Sequence, residues 1–307
     1  MNRKPYLTNL PFKHQGKVRD TYPIPGRPDL LLMVATDAVS THNVAHLSFI
    51  PGKGQILTAT TVFWARGPLQ DIDTHIVAYG PRIYEYPLGD GLPEDLHLRA
   101  LVVKKLTMLP YELIFRKYLA GSLWASYQKG ETNPYGIDLP TGLELMSPLQ
   151  TIFTPTEKSA TDDPVNARAI EVLCPGAVML ARKVYERGHE FALARGINII
   201  DFKAEVGVDS DGRLCLADEW LNGDCCREVD ANKIVVGQDP PWADKEIARQ
   251  EAVRLWGGKK SGPPLEFPED VISHCSGAYR NVFEQITGNT LEKFWSGIED
   301  EYSRTFL

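Results

Sequence analysis

Residues 197–227 read INIIDFKAEVGVDSDGRLCLADEWLNGDCCR and predict a β-hairpin with charge concentrated on one face. Over residues 199–206 charged and apolar residues alternate, so they point to opposite faces of a strand. The charged side chains on one face are Asp201, Lys203 and Glu205. The apolar side chains on the other face, which we expect to enter the core, are Ile200, Phe202, Ala204 and Val206.

A turn signal, DSDG, leads from this strand into a second short strand, 213–217, which ends on Asp218 and Glu219. A hairpin of this kind brings Glu205 and Asp218 together at one end of the sheet. With Lys203 beside them, these carboxylates suit a divalent cation and a phosphate, because Mg²⁺ is typically held by one or two carboxylates plus phosphate oxygens. The alternative is a surface hairpin whose charges are merely solvated.

Length and composition indicate an ordinary globular protein. The chain has 307 residues, 43% hydrophobic and 24% charged, which allows one large domain or two modest ones. Its net charge of −7 argues against non-specific nucleic-acid binding. The five cysteines include no C-x-x-C pair, which favours the reducing cytoplasm and argues against a disulfide framework or structural zinc. We expect no membrane association, because the longest apolar run, 30–35, is too short to span a bilayer.

Residues 13–22, KHQGKVRDTY, predict a glycine turn that enters a strand. Backbone N–H groups around Gly16, together with the basic side chains of Lys17 and Arg19, are suited to hold phosphate groups. The alternative is a short basic strand exposed to solvent. Farther along, Asp37 follows a predicted buried strand, and by itself it is typical of a turn.

Residues 111–127, YELIFRKYLAGSLWASY, form a second stretch with regular alternation. Glu112 and Arg116 fall on one face, and the planar guanidinium of arginine suits bidentate binding of phosphate or carboxylate. The alternative for Arg116 is a structural ion pair with Glu112. Gly121 and Ser122 predict a tight turn before a short helix, with Ser122 as its N-cap.

The remaining elements follow from periodicity and from turn residues. A stretch rich in Gly, Pro and Thr, 130–166, predicts a long loop. Further strands are expected at 30–36, 75–79 and 101–106. Helices are expected at 55–64, 175–195, 244–256, 269–287 and 290–304.

Several of these stretches resemble the signatures of the SAICAR synthetase (phosphoribosylaminoimidazole-succinocarboxamide synthase) family. IIDFKAEVG and ADEWLNGDCCR are similar to its D-x-K-x-E-[FV]-G and D-E-x-L-x-x-D-x-x-R patterns. The segment 110–122 is similar to P-x-E-x-[IV]-x-R-x-[YR]-x-x-G-S, and 16–22 to G-K-x-[KR]-D-x-Y. The resemblance covers nearly the whole chain.

The resemblance implies an α+β, two-lobed SAICAR synthetase-like fold with a kinase- or ATP-grasp-like nucleotide cleft. A strand-rich nucleotide-binding lobe would span 1–108, and a mixed α/β lobe with the C-terminal helices would span 109–307. The implied activity is ATP-dependent ligation of L-aspartate to carboxyaminoimidazole ribonucleotide (CAIR) through an acyl phosphate, in purine biosynthesis. The partners would be these small molecules, with Mg²⁺ as cofactor.

Each role implied by the resemblance falls on residues that match its patterns. The catalytic residues would be Lys203, Glu205 and Asp218, of which Glu205 and Asp218 would hold Mg²⁺. The ATP-binding residues would be Gly16, Lys17, Arg19, Lys104, Met108 and Lys203. The CAIR-binding residues would be Arg116, Ser122, Asp224 and Arg227. The aspartate side would be formed by Asp37, Ser40 and Lys158.

The chain departs from the family pattern at two places. The loop usually written T-D-R-[VIL]-S-A-[FY]-D reads TDAVSTHN at 36–43, where His42 is expected to be exposed. Cys225 and Cys226 replace small serines, and we interpret them as conservative replacements without a nucleophilic role. Two alternatives therefore accompany the ligase hypothesis. One is a ligase for another amine or imidazole carboxylate, and the other is a non-catalytic nucleotide-binding paralogue, against which the retained Lys203 argues.

Overall fold

The computed structural model describes residues 4–8, 10, 14–131, 135–159 and 161–305, and the fold is α+β as predicted. Lys13 of the predicted phosphate segment lies outside the described residues. The strands are β1 (His14–Gln15), β2 (Arg19–Ile24), β3 (Arg27–Ala35), β4 (Ala38–Thr41), β5 (Val44–Phe49), β6 (Ile76–Tyr79), β7 (Ala100–Lys104), β8 (Thr107–Met108), β9 (Tyr111–Tyr118), β10 (Pro148–Phe153), β11 (Thr156–Glu157), β12 (Ile197–Val208), β13 (Leu214–Ala217) and β14 (Cys226–Asp230).

The α-helices are α1 (Lys53–Arg66), α2 (Leu96–Arg99), α3 (Gly121–Gln128), α4 (Ala167–Leu173), α5 (Pro175–Leu193), α6 (Glu246–Leu255), α7 (Glu269–Thr287) and α8 (Leu291–Arg304). Two short 3-10 helices span Gly80–Glu85 and Ala231–Lys233. None of the helices in the described part of the chain combines the length and apolar character needed to cross a membrane.

The chain divides into two compact units. The first comprises Met1–Arg66, His75–Lys105 and Lys245–Leu307, and the second comprises Gly67–Thr74 and Leu106–Asp244. The crossing between Lys105 and Leu106 lies near the boundary expected at residue 108. The C-terminal helices, which the sequence prediction grouped with residues 109–244, belong instead to the first unit.

The first unit is built on an antiparallel sheet with the strand order β1-β2-β3-β7-β6. β3 is apolar along most of its length because both of its faces are covered. Leu30 and Leu32 pack in one cluster with Tyr22, while Leu31 and Met33 pack against a second cluster formed largely by helices. The continuous apolar run in the sequence therefore reflects a strand covered on both sides.

The C-terminal helices supply much of that second cluster. Phe283 of α7 and Trp295 of α8 are buried together with Ile56 and Leu57 of α1. Helical periodicity identifies the buried face of a helix but not the surface that covers it. The packing of α7 and α8 on α1 is the physical reason why residues after 244 join the first unit.

The hairpin of β4 and β5 is fixed to the segment that follows α6 by a buried histidine. The backbone N–H of Leu265 donates to Nδ1 of His46 (3.2 Å), so Nε2 carries the proton and donates to Oγ1 of Thr41 (2.8 Å). Trp256 and Phe267 pack against the imidazole. Burial, with a smaller contribution from His42, lowers the pKa of His46 to about 4.

We expect acid to destabilise the protein through His46. Its pKa is about 4 in the folded state and 6.5 in an unfolded chain, so its stabilisation is complete above pH 6.5 and is lost as the pH falls towards 4. The loss should approach about 1.4 kcal/mol per pH unit. Urea unfolding between pH 7 and 4.5 should show that the free energies of unfolding of the wild type and His46→Gln become more similar as the pH falls. His274→Gln, at an exposed site on α7, should show no such convergence. A constant difference between wild type and His46→Gln would contradict this.

The second unit is organised around β12. β12 pairs antiparallel with β9, β13, β14 and β8, while β10 and β11 pair with β9. The predicted alternation is confirmed, because Ile200, Phe202, Ala204 and Val206 are all fully buried. α5 packs beside β12 and begins at Pro175 as predicted, and the hydroxyl of Tyr185 donates to the carbonyl of Ile200 (3.0 Å).

Two local predictions for this unit were wrong. The expected loop 130–166 contains β10 and β11, short strands held by pairing with β9 that local composition does not reveal. Ser122 is not the N-cap of α3, which is Ala120. The hydroxyl of Ser122 accepts a hydrogen bond from Arg116 instead (3.2 Å).

Candidate functional site

Two of the three predicted catalytic residues, Lys203 and Glu205, lie on the charged face of β12. Glu205 lies opposite Ala217 in the pairing of β12 with β13, so Asp218 follows directly at the end of the hairpin. Asp218 has a positive φ of 59°, where the chain leaves the strand. The two carboxylates therefore belong to the same end of the hairpin, as the sequence predicted.

Lysines and carboxylates alternate around this strand end in a set that we call the lysine–carboxylate network: Glu112, Lys158, Lys203, Glu205 and Asp218. Nζ of Lys203 lies 2.7 Å from Oε1 of Glu112 and 3.6 Å from Oε1 of Glu205. Nζ of Lys158 donates to Oε2 of Glu205. Burial alone would lower the pKa of Lys203, but Glu112, Glu205 and Asp218 outweigh it and hold that pKa above its usual value. Lys203 is therefore a fixed positive charge at neutral pH.

A second polar group lies two residues earlier on the same face of β12. Oδ2 of Asp201 binds Nη1 of Arg116 (2.5 Å) and Nη1 of Arg227 (2.6 Å), and we call these two side chains the arginine pair. Nε of Arg116 donates to Oγ1 of Thr154 (2.8 Å), and its Nη2 donates to Ser122. The carboxylate that pairs with Arg116 is thus Asp201, whereas Glu112 pairs with Lys203.

Gly121 makes room for the arginine pair. A Cβ atom added at this position would lie 2.5 Å from Cζ of Arg227, well inside van der Waals contact. The residue also has a φ of +60°, a conformation that glycine adopts without steric cost. Both constraints explain why the G-S turn begins with glycine.

The turn before β14 places Asp224 beside the two cysteines. The side-chain oxygen of Asn222 accepts from the backbone N–H of Asp224 (3.0 Å), and the backbone oxygen of Asn222 accepts from that of Cys226 (2.9 Å). Asp224, Cys225 and Cys226 are all buried. Burial raises the pKa of the Cys226 thiol well above its usual value, which supports the interpretation that it is not a nucleophile.

Six of the predicted site residues belong to the first unit, and three of them lie in the predicted phosphate segment. The N–H of Gly16 donates to the carbonyl of Arg19 (2.7 Å), and a Cβ on Gly16 would lie 2.8 Å from that oxygen. This tight turn links β1 to β2 and requires glycine. Nζ of Lys17 donates to Oδ1 of Asn43 at the tip of the β4–β5 hairpin.

Asp37 and Ser40 occupy the loop and strand that follow β3. Oδ1 of Asp37 accepts from the backbone N–H of Gly54 (2.9 Å) and from Nη1 of Arg99 (3.2 Å). Asp37 thus binds the first turn of α1, as a carboxylate at a helix N-terminus commonly does. Ser40 lies on β4 opposite Ala45. Lys158, predicted for the same aspartate side, belongs to the second unit, where its Nζ binds Oε2 of Glu205.

The predicted adenine-binding stretch begins at the end of β7. The backbone N–H of Lys104 donates to the carbonyl of His75, and that of Lys105 donates to the carbonyl of Asp29, both at 2.8 Å. These two donors are therefore engaged within the first unit. Met108 lies on β8 opposite Gly207 and is 37% exposed.

The donor chemistry of Glu205 and Asp218 fits magnesium better than a softer metal. Among the residues that the structure describes, no group of three or more His, Cys, Asp or Glu side chains could hold a metal ion. Two carboxylates at a strand end supply hard oxygen ligands, and Mg²⁺ typically takes one or two such ligands and completes its shell with phosphate oxygens and water.

Comparison with known proteins identifies the family. Residues 12–262 match the family model described as SAICAR synthetase. The chain belongs to the SAICAR synthetase family. It is 36% identical over 290 residues to the phosphoribosylaminoimidazole-succinocarboxamide synthase of Desulfotalea psychrophila, covering 91% of this chain and 96% of that one.

Solved structures of SAICAR synthetases have the same fold. The SAICAR synthase of Saccharomyces cerevisiae, complexed with SAICAR, has a TM-score of 0.79 and 31% identity, covering 94% of this chain and 98% of that one. A type-2 SAICAR synthetase in complex with ADP has a TM-score of 0.60 and 25% identity, covering 90% and 98%.

The chain departs from the family pattern at the tip of the β4–β5 hairpin. His42 and Asn43 both have positive φ, 47° and 64°, as a two-residue hairpin turn requires. His42 is half-buried beside Trp256, with ring centroids 6.2 Å apart, so the expectation that it is exposed was wrong. Asn43 suits this turn because asparagine tolerates a left-handed backbone.

The sequence prediction missed several residues that complete these groups. Asp201 shares the charged face with Lys203 and Glu205, which is a signal that could have identified it. Thr154 and Glu112 are brought in by the pairing of β9 with its neighbours, which depends on contacts distant in sequence. Arg99 carries no local signal for its pairing with Asp37.

We expect Asp201→Asn to destabilise the second unit strongly, because it leaves the arginine pair without its buried counter-ion. Removing one partner of a buried ion pair costs about 3 kcal/mol or more, and urea unfolding measures the loss. Asp71→Asn is the matched control, since Asp71 also binds two cations, Lys183 and Arg187, but is 51% exposed. The control should lose far less stability. Equal losses in the two variants would contradict the role assigned to Asp201.

Proposed function

We propose that this chain is an ATP-dependent ligase that joins L-aspartate to CAIR and releases SAICAR, ADP and phosphate. The observation that carries the proposal is the charged face of β12, where the arginine pair and the lysine–carboxylate network adjoin in a chain of this family. The arginine pair suits an anionic nucleotide substrate, and the lysine–carboxylate network suits the phosphates of ATP. Asp201 and Lys203, which belong to the two groups, are only two residues apart.

The reaction needs an activated carboxyl group, because a carboxylate is a poor acylating agent. A carboxylate oxygen of CAIR attacks the γ-phosphorus of ATP, ADP leaves, and an acyl phosphate forms. The amine of L-aspartate then attacks the carbonyl carbon, loses a proton, and displaces phosphate to give the amide. Positioning and charge stabilisation carry both steps, so the chain needs no covalent nucleophile.

The arginine pair would bind the anionic groups of CAIR. Arg116 and Arg227 present planar guanidinium groups, and Asp201 holds both in a fixed orientation, so that little side-chain entropy is lost when an anion binds. Ser122 lies beside Arg116, and Asp224 lies in the turn before Arg227. We infer that these four side chains form the CAIR site.

The lysine–carboxylate network would receive the phosphates. Lys203 is held protonated by its carboxylate neighbours and can neutralise a phosphate oxygen. Glu205 and Asp218 would hold Mg²⁺, which when bound offsets the negative charge on the transferring phosphoryl group. In the described structure Lys158 binds Glu205 and balances the charge of that carboxylate.

Gly16, Lys17, Arg19, Lys104 and Met108 remain our candidates for further contacts to ATP, with Lys104 and Met108 at the adenine. Ser40 and Lys158 remain our candidates for the aspartate side. Asp37 would act there through the loop that it anchors to α1, because its carboxylate already binds Gly54 and Arg99.

We expect ADP release to depend on every proposed substrate. Purified protein with ATP, Mg²⁺ and CAIR should release ADP at a rate that rises sharply when L-aspartate is added, and SAICAR should accumulate in equal amount. Coupled detection of ADP, with chromatography of the product, measures both. Turnover that requires a different amine would redirect the proposal to another substrate, and nucleotide binding without turnover under any of these conditions would overturn it.

We expect Glu205→Gln and Asp218→Asn each to lower kcat by about 100-fold or more, because each removes a carboxylate that would hold the Mg²⁺ that offsets the charge of the phosphoryl group. The Mg²⁺ concentration for half-maximal rate should also rise. Glu157→Gln, at an exposed glutamate on β11, is the control and should keep full activity. Circular dichroism should show all three variants folded. Full activity in Glu205→Gln or Asp218→Asn would contradict the assignment of these two carboxylates to Mg²⁺.

A further inference from the structure

Glu228 is a buried glutamate that the proposed reaction does not use. It follows Arg227 directly on β14 and is only 2% exposed. Its backbone is satisfied, because its N–H donates to Oδ2 of Asp244 (2.6 Å) and its carbonyl accepts from the N–H of Ala243 (2.9 Å). The hydrogen-bonding capacity of its side chain is not satisfied, because Oε1 is buried and has no hydrogen-bond partner among the described residues.

The surroundings of Glu228 are acidic. Asp244, fully buried, faces it from the segment before α6, and Asp224, 4% exposed, faces it from the turn before β14. On β12 the paired residue is the apolar Ile199. On β14 itself the titratable neighbours are the thiol of Cys226, Arg227, which binds Asp201, and Asp230, which binds Lys233. No lysine, arginine or histidine in the described part of the chain forms an ion pair with Glu228.

An unpaired carboxylate in such a place is very costly, and the group stays neutral instead. Burial, and then the charges of Asp244 and Asp224, raise the pKa of Glu228 well above its usual value. A metal ion does not explain the cluster, because the described residues contain no group of three acidic or metal-binding side chains suited to one.

We propose that Glu228 acts as an uncharged carboxylic acid that positions the segment from Asp224 to Arg227 for substrate binding. This inference rests on the proposed function, in which Asp224 and Arg227 hold CAIR. Ionised Glu228 would add a buried negative charge close to Asp224 and Asp244. The repulsion would strain the pairing of β14 with residues 242–244 and displace Arg227, its neighbour in sequence. Glu228 is therefore a positioning residue and does not touch the substrate.

The inference predicts a definite pH dependence. The pKa of Glu228 is higher in the folded chain than the 4.5 expected for an unfolded one, so its contribution to stability is complete below pH 4.5 and is lost as the pH rises towards the folded value. Glu228→Gln keeps the shape and the neutral charge at every pH. Relative to the wild type, its folding equilibrium constant should therefore rise by up to tenfold for each pH unit in this window.

The test compares wild type, Glu228→Gln and Glu186→Gln between pH 6 and 9. In thermal unfolding without substrates, the stability of Glu228→Gln relative to the wild type should increase with pH. Glu186 binds Lys117 at 2.7 Å and is ionised in both states across this range, so the effect of its substitution should stay constant. In turnover assays, the KM for CAIR should rise with pH in the wild type and stay flatter in Glu228→Gln, with kcat changing less.

A pH-independent difference between Glu228→Gln and the wild type would overturn the inference, since Glu228 would then have one charge state throughout. If Glu228→Gln does not fold, the inference is tested on the wild type alone. Its unfolding enthalpy is measured by calorimetry at pH 7 in buffers of different ionisation enthalpy, which reports the protons released on unfolding. Release of a proton on unfolding supports the inference, and no release overturns it. Failure of the proposed function is distinguishable, because it abolishes aspartate-dependent turnover and leaves the stability measurements unaffected.

Discussion

The second unit depends on the buried carboxylate of Asp201. It is 5% exposed, and it balances both Arg116 from β9 and Arg227 from β14. Each guanidinium alone would be costly to bury, and the carboxylate alone equally so. Their mutual compensation allows three strands of one sheet to carry charges on a common face. The same contact that stabilises the sheet also fixes the orientation of the two arginines before any ligand arrives.

A similar compensation of charges is found two residues farther along β12. Lys203 and Glu205 continue the face that begins at Asp201, and Glu112 of β9 reaches the same lysine. Alternating signs along one strand keep the net charge of each group small, so the face stays folded without ligands. In the function that we propose, they would also place cationic and anionic groups where a nucleotide and its transferring phosphoryl group could bind.

Much of this arrangement could be predicted from sequence, because it is local. Alternation along 199–206 defines the charged face, and the turn before Arg213 brings Glu205 next to Asp218. What could not be predicted depends on pairing between distant segments. The attachment of Lys158 to Glu205 needs β11 on β9, and Asp37 meets Arg99 only through the first-unit fold. The burial of Glu228 could not be predicted either, because sequence patterns for strands assume that charged residues face solvent.

The first unit is assembled from three separated stretches, the last of which begins at Lys245. During synthesis, the strands of its sheet leave the ribosome long before α7 and α8, which complete the apolar cluster around Ile56 and Leu57. The second unit, nearly continuous from Leu106 to Asp244, is finished earlier. Since domains generally fold as units, we infer that the middle of the chain folds first. One apolar face of the first-unit sheet then lacks its α7 and α8 cover until those helices have been synthesised, and during this interval the face is prone to aggregation and to chaperone binding.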